Sequence, residues 1–355
     1  MKKVYLVTED GCSFEGFAFG ADAETCGELV FNTGMIGYIE TLTDAAYYGQ
    51  IVVQTFPLMG NYGIIPSDFE GKCAVRGFVV REWCNTPSNF RCEYDLDKFL
   101  KDNGVVGIYG VDTRAVTKHL RENGTMNAKI CYEIPADLAE IKAYKIADAV
   151  KAVSCENTYG RSAENAKYNI TVVDYGVKNS FVDEMVARGC NVKVVPANTS
   201  AEAILADAPN GVLLSGGPGD PAECKEYAAE IAKLMGKVPM FGIGLGHQLM
   251  AVANGAETYK LHHGHRGGNQ PSHMVGTNRT FITSQNNGYA VVTESIKNGA
   301  VSFVNANDDV CEGIEYADSK AFSVQFYPES IEGLHSTSFL YDKFIKMMEG
   351  NWYAA

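Results

Sequence analysis

The residues best suited to chemistry follow short apolar runs in the second half of the chain. Residues 215–221 hold three glycines and two prolines, a density that makes a tight turn whose backbone amides can approach a ligand closely. Such a turn is ordinary between a strand and a helix. It also suits an oxyanion hole, in which backbone N–H groups stabilise a developing negative charge.

A second turn carries the spacing of a nucleophile elbow. Gly242 and Gly246 bracket position 244 between an apolar run and a helical pattern. In such an elbow the middle side chain stands exposed above the helix N-terminus, and that position would hold Ser or Cys. Here it holds Gly244, which has no side chain to attack a substrate. Two later segments complete the set: residues 282–289, whose amide and backbone groups suit an amino-acid ligand, and residues 322–329, an alternating run ending at Pro-Glu.

These turns must be positioned by a parallel sheet. Apolar runs at 170–174, 192–195, 211–215 and 238–243 alternate with helical spacing at 180–188 and 221–235. Strand and helix in alternation predict βαβ units with helices on both faces of the sheet. Ligands on such sheets bind at the carboxyl ends of the strands, which directs attention to the loops after Leu214 and Ile243.

The first half of the chain has a different pattern of apolar and turn-forming residues. Short runs bounded by Gly, Asn, Asp and Pro predict strands at 4–7, 28–32, 50–56 and 75–80. A helix is predicted over 112–121, with Asp112 as N-cap and Gly124 just past its end. We therefore predict a domain at 1–150, a linker at 151–167 and a second domain at 168–355.

Composition excludes several classes of protein. The 355 residues carry 43 acidic and 30 basic side chains, a net charge of −13, which argues against a nucleic-acid partner. No apolar run reaches the roughly 18 residues that a membrane span needs, and the start does not resemble a signal peptide. Ten scattered cysteines without a CxxC pair indicate reduced thiols, and we expect a cytoplasmic location.

The second half closely resembles the class I glutamine amidotransferase domain, and the whole chain resembles the carbamoyl-phosphate synthase small-subunit family. The resemblance rests on the amidotransferase motifs at 215–221, 242–248, 284–289 and 324–329. It also rests on four amino-terminal segments, at 32–38, 60–63, 87–91 and 110–114. It implies an α/β fold: a β-rich amino-terminal domain that docks on a large subunit, then an amidotransferase domain with a mainly parallel central sheet flanked by helices.

The resemblance also implies an activity and a partner. In this family a cysteine at the elbow attacks the glutamine amide, a histidine activates the thiol, and a glutamate orients the histidine. The ammonia released passes to the large subunit of a heterodimer, which makes carbamoyl phosphate for arginine or pyrimidine biosynthesis. ATP and metal are expected on that subunit. This chain has no G-x-x-x-x-G-K-[ST] loop, and neither cofactor nor metal is expected on it.

The chain departs from the family where the chemistry is done. The nucleophile position is Gly244 and the base position is Tyr327, so only Glu329 of the triad remains. Loss of a triad nucleophile lowers turnover by on the order of 10⁶ in a well-studied serine protease. A phenol, with an ordinary pKa of about 10, is a poor base at neutral pH compared with an imidazole at about 6.5. We expect Tyr327 to point toward Gly244 and to narrow the pocket.

Other departures are milder, and much of the glutamine-binding shell matches. Ala46 stands where the family has a glutamine-contacting serine, and Asn287 and Gln270 stand where it usually has histidines. The positions that still match the glutamine-binding pattern are Gly217, Gly219, Leu245, Gln248, Asn286, Gly288 and Tyr289. Their retention fits weak binding of glutamine or another small amino acid, and it fits equally well turns kept for the fold.

No replacement catalytic residue stands out. Cys224 and Cys311 lie near the relevant loops, but single cysteines are by default buried and unactivated. His247 belongs to the elbow helix, where a structural role is the default. The cluster of His262, His263 and His265 lacks a carboxylate or thiol partner, so no metal site is predicted there.

Three functions remain open. The first is an accessory small subunit that has lost glutaminase activity. It docks on a large subunit, and that enzyme uses free ammonia as its nitrogen donor. The second is a regulatory or binding module that senses a small amino acid or pairs with another partner. The third, the weakest, is an active glutaminase with relocated catalytic residues.

Overall fold

The computed structural model describes residues 2–329 and 337–351. The chain forms two units. The amino-terminal unit comprises Met1–Ala149 together with His262–Gly267, and the carboxyl-terminal unit comprises Val150–Leu261 and Gly268–Ala355. No helix among the described residues has the length and apolarity that crossing a bilayer requires.

A closed barrel forms the core of the amino-terminal unit. Its strands follow the order β1-β2-β8-β6-β4-β3-β9, and β5 and β7 pair separately. The nine strands are β1 (Lys3–Thr8), β2 (Ser13–Gly20), β3 (Thr25–Asn32), β4 (Gln50–Gln54), β5 (Leu58–Met59), β6 (Gly77–Val79), β7 (Glu82–Trp83), β8 (Val106–Tyr109) and β9 (Met126–Cys131). The predicted strands at 4–7, 28–32 and 50–56 are confirmed as β1, β3 and β4. Every residue of β4 is buried, because this strand lies between β3 and β6 and both its faces are covered.

Four helices accompany the barrel: α1 (Tyr38–Thr43), α2 (Leu96–Asp102), α3 (Thr113–Asn123) and α4 (Ala139–Ala143). Helix α3 begins and ends as the sequence predicts. The Asp112 carboxylate accepts a hydrogen bond from the Ala115 backbone N–H at 3.0 Å, which caps one of the unpaired amides of the first turn. Gly124 ends the helix at φ 89°. Val116 and Leu120, one turn apart, carry its buried face.

A ten-stranded sheet organises the carboxyl-terminal unit in the order β10-β12-β11-β13-β14-β19-β18-β16-β15-β17. The five strands that run parallel are β11 (Tyr168–Asp174), β12 (Cys190–Pro196), β13 (Gly211–Leu214), β14 (Met240–Ile243) and β19 (Ala321–Val324). The others are β10 (Tyr159–Arg161), β15 (Thr258–Met274), β16 (Thr280–Val291), β17 (Ala300–Asn305) and β18 (Cys311–Tyr316). The parallel sheet predicted from the alternating pattern is therefore confirmed.

The helices that cover this sheet are α5 (Ala149–Val153), α6 (Asn179–Ala187), α7 (Ala201–Ala206), α8 (Lys225–Leu234), α9 (Leu245–Ala253) and α10 (Phe339–Met348). The helix predicted over 221–235 is split: Pro221–Glu223 forms a 3-10 turn, and α8 starts at Lys225. Two apolar cores result. One includes Leu214, Leu249 and Met250, and the other includes Phe181, Phe241 and Phe344.

Candidate active site

The elbow predicted around position 244 is present. Strand β14 ends at Ile243 and helix α9 begins at Leu245, so the chain reverses direction within a single residue. Gly244 adopts φ 58° and ψ −114°, a backbone conformation that residues with a Cβ reach only under strain. Its N–H donates to the Val324 carbonyl at 2.9 Å, and its own carbonyl accepts from the Gln248 N–H at 3.2 Å.

The Tyr327 ring lies beside this elbow. A Cβ built on Gly244 would lie 3.9 Å from Tyr327 Cε1 and 3.3 Å from Gly216 Cα. Tyr327 is only 5 % exposed, and its ring packs edge-on against Phe181 with centroids 5.9 Å apart. The expectation that Tyr327 points toward Gly244 is confirmed. An aromatic ring lies against the position from which a nucleophilic side chain would project.

Glu329, the remaining residue of the family triad, is engaged by a buried cation. Its Oε1 accepts a hydrogen bond from Lys178 Nζ at 2.9 Å, and its Oε2 accepts one from the Tyr341 hydroxyl at 2.8 Å. Lys178 Nζ also lies 4.2 Å from the centre of the Tyr327 ring. Burial and the neighbouring Glu329 charge hold the pKa of Tyr341 far above its ordinary value, so its hydroxyl stays protonated and donates.

Sequence reasoning missed Lys178 and Tyr341. Lys178 is separated from Glu329 by 151 positions, so no local spacing connects the two charges. One signal was available: Lys178 comes four residues after β11 ends, at the carboxyl edge of the sheet, where side chains of functional sites gather. A lysine that is fully buried at such an edge needs a partner carboxylate.

Several residues at the glutamine-binding positions are used inside the protein. The Gln248 side-chain amide donates to the Tyr289 carbonyl and to Gln325 Oε1, both at 2.8 Å. Residues 284–289 belong to strand β16, and the Ser284 carbonyl accepts from the Tyr327 N–H at 2.9 Å. The motifs at 242–248, 284–289 and 324–329 therefore meet in one place through hydrogen bonds.

Among the other predicted glutamine-binding positions, Gly217 is explained by packing and Ala46 lies in the amino-terminal unit. A Cβ on Gly217 would lie 2.1 Å from the Tyr175 carbonyl oxygen, so only glycine fits there whether or not a ligand binds. Ala46 belongs to the amino-terminal unit, where it lies in a 3-10 turn and its N–H donates to Asp44. The remaining matched positions, Gly219, Leu245, Asn286 and Gly288, lie on the turn after β13, at the start of α9 and in β16.

The side chains considered as replacement nucleophiles or bases are buried and unactivated. Burial raises the pKa of Cys224 to about 11 and that of Cys311 to about 12, so both thiols stay protonated at neutral pH. His247 is fully buried, and its Nδ1 lies 2.9 Å from Ser323 Oγ. Burial lowers the pKa of His247 to about 3, which keeps the imidazole neutral. These contacts fit structural roles.

In the part of the chain that the structure describes, the histidines of β15 do not belong to a group of three or more potential metal ligands. His263 stacks on Phe31 with ring centroids 5.7 Å apart, and burial lowers its pKa. Among the described residues, a group of three potential metal ligands lies elsewhere, at Asp10, Cys12 and His119. There Asp10 Oδ2 and His119 Nε2 are 2.8 Å apart and hydrogen-bonded to each other.

The chemistry available at the elbow is therefore limited. Position 244 offers no nucleophilic atom, position 327 offers a phenol in place of an imidazole, and Glu329 forms an ion pair with Lys178. At the start of α9, the Gly246 N–H already donates to the Ser215 carbonyl at 3.0 Å. Backbone N–H groups at such turns can donate hydrogen bonds to a ligand, but they cannot form a covalent intermediate.

Comparison with known proteins matches both units. Residues 6–130 match the family described as carbamoyl-phosphate synthase small chain, CPSase domain, and residues 171–347 match glutamine amidotransferase class-I. Proteins named carbamoyl phosphate synthase small chain are 46 % identical in Fusobacterium nucleatum subsp. nucleatum and 47 % in Clostridium perfringens. The alignments cover 98 % of this chain and 98 % of the relative in the first case, and 97 % and 99 % in the second. The expected fold class, a β-rich amino-terminal domain followed by an amidotransferase domain, is confirmed.

Proposed function

Because the chain belongs to the family of carbamoyl-phosphate synthase small chains, we propose that it is an accessory small subunit without glutaminase activity of its own. In this proposal it pairs with a carbamoyl-phosphate synthase large chain, which takes free ammonia as its nitrogen donor. ATP, and the metal that accompanies it, bind to the large chain, and this chain carries no cofactor.

One observation carries the proposal: the elbow has no nucleophile, and the Tyr327 ring lies beside the vacated position. Hydrolysis of the glutamine amide through a thioester requires a thiolate that attacks the carbonyl carbon and a base that takes the thiol proton. Gly244 removes the first group and Tyr327 replaces the second. In a well-studied triad enzyme, loss of the nucleophile leaves a rate only about 10³ to 10⁴ times that in water, a loss of on the order of 10⁶ in turnover.

The hydrogen-bond partners of Glu329 also support the proposed loss of glutaminase activity. A triad carboxylate contributes by orienting an imidazole and stabilising the imidazolium that forms. In this chain its two oxygens accept hydrogen bonds from Lys178 and Tyr341, and all three side chains are buried. The carboxylate therefore contributes to the packed interior of the unit through a charge pair that does not depend on catalysis.

The test is to co-express the chain with the large chain encoded in the same genome and to measure carbamoyl phosphate. We expect synthesis with ammonium as nitrogen donor and only background synthesis with glutamine. Glutamine hydrolysis by the isolated small chain should also stay at background. Synthesis with glutamine at a rate comparable to that with ammonium would overturn the proposed loss of activity and favour relocated catalytic residues.

A restoration series tests whether the elbow is the cause. The variant that combines Gly244→Cys, Tyr327→His and Ala46→Ser is compared with a matched variant carrying Gly244→Ala, Tyr327→His and Ala46→Ser. The two proteins differ by one sulfur atom, so hydrolysis seen only with cysteine reports a thioester route. We expect measurable glutamine hydrolysis from the first variant and none from the second.

An amino-acid sensor is the second candidate function, supported by the retained residues at the glutamine-binding positions. Against it, Gly217 is required by packing and the Gln248 amide already donates to Tyr289 and Gln325. Isothermal titration with glutamine, and with glutamate as a control, discriminates between the two. Saturable binding at physiological glutamine concentrations would favour the sensor, because the accessory subunit does not need to bind glutamine.

A further inference from the structure

Three side chains of types that bind metals meet on the amino-terminal unit, away from the elbow. Asp10 and Cys12 belong to the turn that joins β1 to β2, and His119 lies one turn before the end of α3. A carboxylate oxygen, the thiol sulfur and an imidazole nitrogen, one from each residue, all lie within 4.8 Å of one another. Asp10 and His119 are 109 positions apart. The sequence predicts no metal here, because no local spacing connects the turn to the helix.

Hydrogen bonds within the turn fix the two residues that it contributes. The Thr8 N–H donates to the Cys12 carbonyl and the Gly11 N–H to the Thr8 carbonyl, both at 2.9 Å. Asp10 Oδ1 accepts from the Thr8 hydroxyl at 2.5 Å and from the Cys12 N–H at 3.2 Å. One carboxylate oxygen of Asp10 therefore holds the turn together, and the other, Oδ2, faces His119.

His119 is held with Nε2 toward the turn. Nε2 lies 2.8 Å from Asp10 Oδ2, and the His119 ring packs edge-on against Phe14 with centroids 6.2 Å apart. Its side chain is 17 % exposed. A histidine that binds a metal through one ring nitrogen usually forms a hydrogen bond through the other. The Asn123 side-chain amide lies 3.4 Å from Nδ1 and can accept that hydrogen bond through its oxygen once the amide turns.

The kinds of donor atom favour zinc. Thiolate, imidazole and carboxylate are the ligands that Zn²⁺ takes in proteins, at about 2.0–2.3 Å and in a tetrahedron, whereas calcium and magnesium take oxygen ligands. In such a tetrahedron the ligand atoms are about 3.3 to 3.6 Å apart. Movements of about 1 Å therefore bring the three atoms into place, and the side chain of Cys12, which is exposed, can make most of this movement.

We propose that Asp10, Cys12 and His119 bind one zinc ion, with water in the fourth position. Binding through Asp10 Oδ2, Cys12 Sγ and His119 Nε2 releases the thiol proton to solvent and leaves the imidazole proton on Nδ1. Because two ligands come from the turn and one from α3, the ion links these segments and stabilises the amino-terminal unit. It takes no part in chemistry at the elbow, and the inference does not depend on the proposed function.

The first test measures zinc affinity. The full-length chain is stripped of metal with EDTA, and zinc chloride is then titrated against a chromophoric chelator. We expect one zinc ion per chain. Cys12→Ser and His119→Gln should each lower the affinity about a hundredfold or more, because loss of even an outer hydrogen-bond partner commonly costs 10- to 100-fold. Cys84→Ser and His273→Gln make the same substitutions outside the group and should bind zinc as the wild type does.

Cobalt reports which atoms bind the metal. Co²⁺ added to the metal-free wild type should give the visible bands of a tetrahedral site and a charge-transfer band from a thiolate. Cys12→Ser should remove the charge-transfer band, and Cys84→Ser should keep it. Zinc should also slow the reaction of Cys12 with a thiol reagent, and it should raise the melting temperature of the wild type but not of Cys12→Ser.

Two results would overturn the zinc site. One is zinc affinity that changes less than about tenfold in both Cys12→Ser and His119→Gln. The other is a cobalt complex without a thiolate band. In either case Asp10 and His119 form only an ion pair between the turn and α3. Neither result affects the carbamoyl phosphate assay, so the zinc site and the proposed function stand or fall separately.

Discussion

Gly244 combines a strained backbone conformation with little space for a side chain. We expect Gly244→Ala to lower the free energy of unfolding by about 1–3 kcal/mol, because a Cβ must accept φ 58° and ψ −114° and contact the Gly216 backbone at 3.3 Å. Urea denaturation measures the change. Gly236→Ala is the control: it has a positive φ of 74°, and no described heavy atom lies within 4 Å of its added Cβ. Equal losses from the two variants would contradict a packing contribution at 244.

The buried pair of Lys178 and Glu329 makes the interior sensitive to the loss of one partner. We expect Lys178→Met to destabilise the chain by about 3–5 kcal/mol, because it leaves a carboxylate buried without its cation. Adding Glu329→Gln to this variant should recover a large part of the loss. Lys193→Met, which removes the exposed ion pair with Asp207, is the control and should change stability by less than about 1 kcal/mol. A larger loss from Lys193→Met than from Lys178→Met would refute the argument.

His247 makes stability depend on pH. In the unfolded chain an imidazole takes up a proton below about pH 6.5, whereas burial holds the pKa of His247 to about 3 in the folded chain. Between these values the unfolded state binds more protons, so stability falls as the pH is lowered, by about 1.4 kcal/mol per pH unit. Between pH 7 and pH 5, the titration of His247 should lower the free energy of unfolding by about 2 kcal/mol. His247→Gln, which does not titrate, should show a smaller loss by that amount in urea denaturation at the two pH values.

At the scale of elements, helix α3 depends on its cap. Asp112→Ala should lower the free energy of unfolding by about 1 kcal/mol, because the Ala115 N–H loses its acceptor at the helix start. Asp112→Asn keeps an acceptor oxygen and should cost clearly less. Urea denaturation of both variants makes the comparison. Equal losses would show that the carboxylate charge, rather than the capping hydrogen bond, stabilises this helix.

The elements that the sequence predicted well are those whose signals are local. Helix α3 has an N-cap at Asp112 and a terminating Gly124, and strands β11, β12 and β13 are short apolar runs, so their positions followed from neighbouring residues. The long β15 and β16 were not predicted, because polar residues are scattered through both strands and β15 also contains three glycines. Their stability comes from pairing with other strands, which a local pattern does not record.

In the candidate site, too, the sequence predicted the features that have local signals and missed those that depend on contacts between distant segments. The elbow at Gly244 was predicted from the glycine spacing and from the resemblance, and the direction of Tyr327 followed from the gap that a missing side chain leaves. The engagement of Glu329 by Lys178 and Tyr341 was not predicted. This network joins the start of α6, the Pro-Glu turn and α10, and only the folded chain brings those segments into contact.

For the whole molecule, the ten cysteines provide a simple measurement. All ten are unpaired thiols in the structure, and Cys131, Cys190, Cys224 and Cys311 are buried. We expect Ellman's reagent to detect ten thiols in denatured protein that was purified without reductant. In native protein the exposed Cys12 should react first, and the buried four only on unfolding. Cys12→Ser removes the fast phase and is the control. Fewer than ten thiols in the denatured sample would reveal a disulfide.

The packing of Tyr327 against the elbow also constrains how the chain can evolve. A cysteine restored at 244 alone would face a phenol in place of an imidazole, and it would carry the strain of the elbow without restoring turnover. A histidine restored at 327 alone would have no thiol to activate. Under the proposed function, neither single reversion confers an advantage, and the first lowers stability. Glutaminase activity would therefore return only if both positions changed together, which makes its recovery by single substitutions unfavourable.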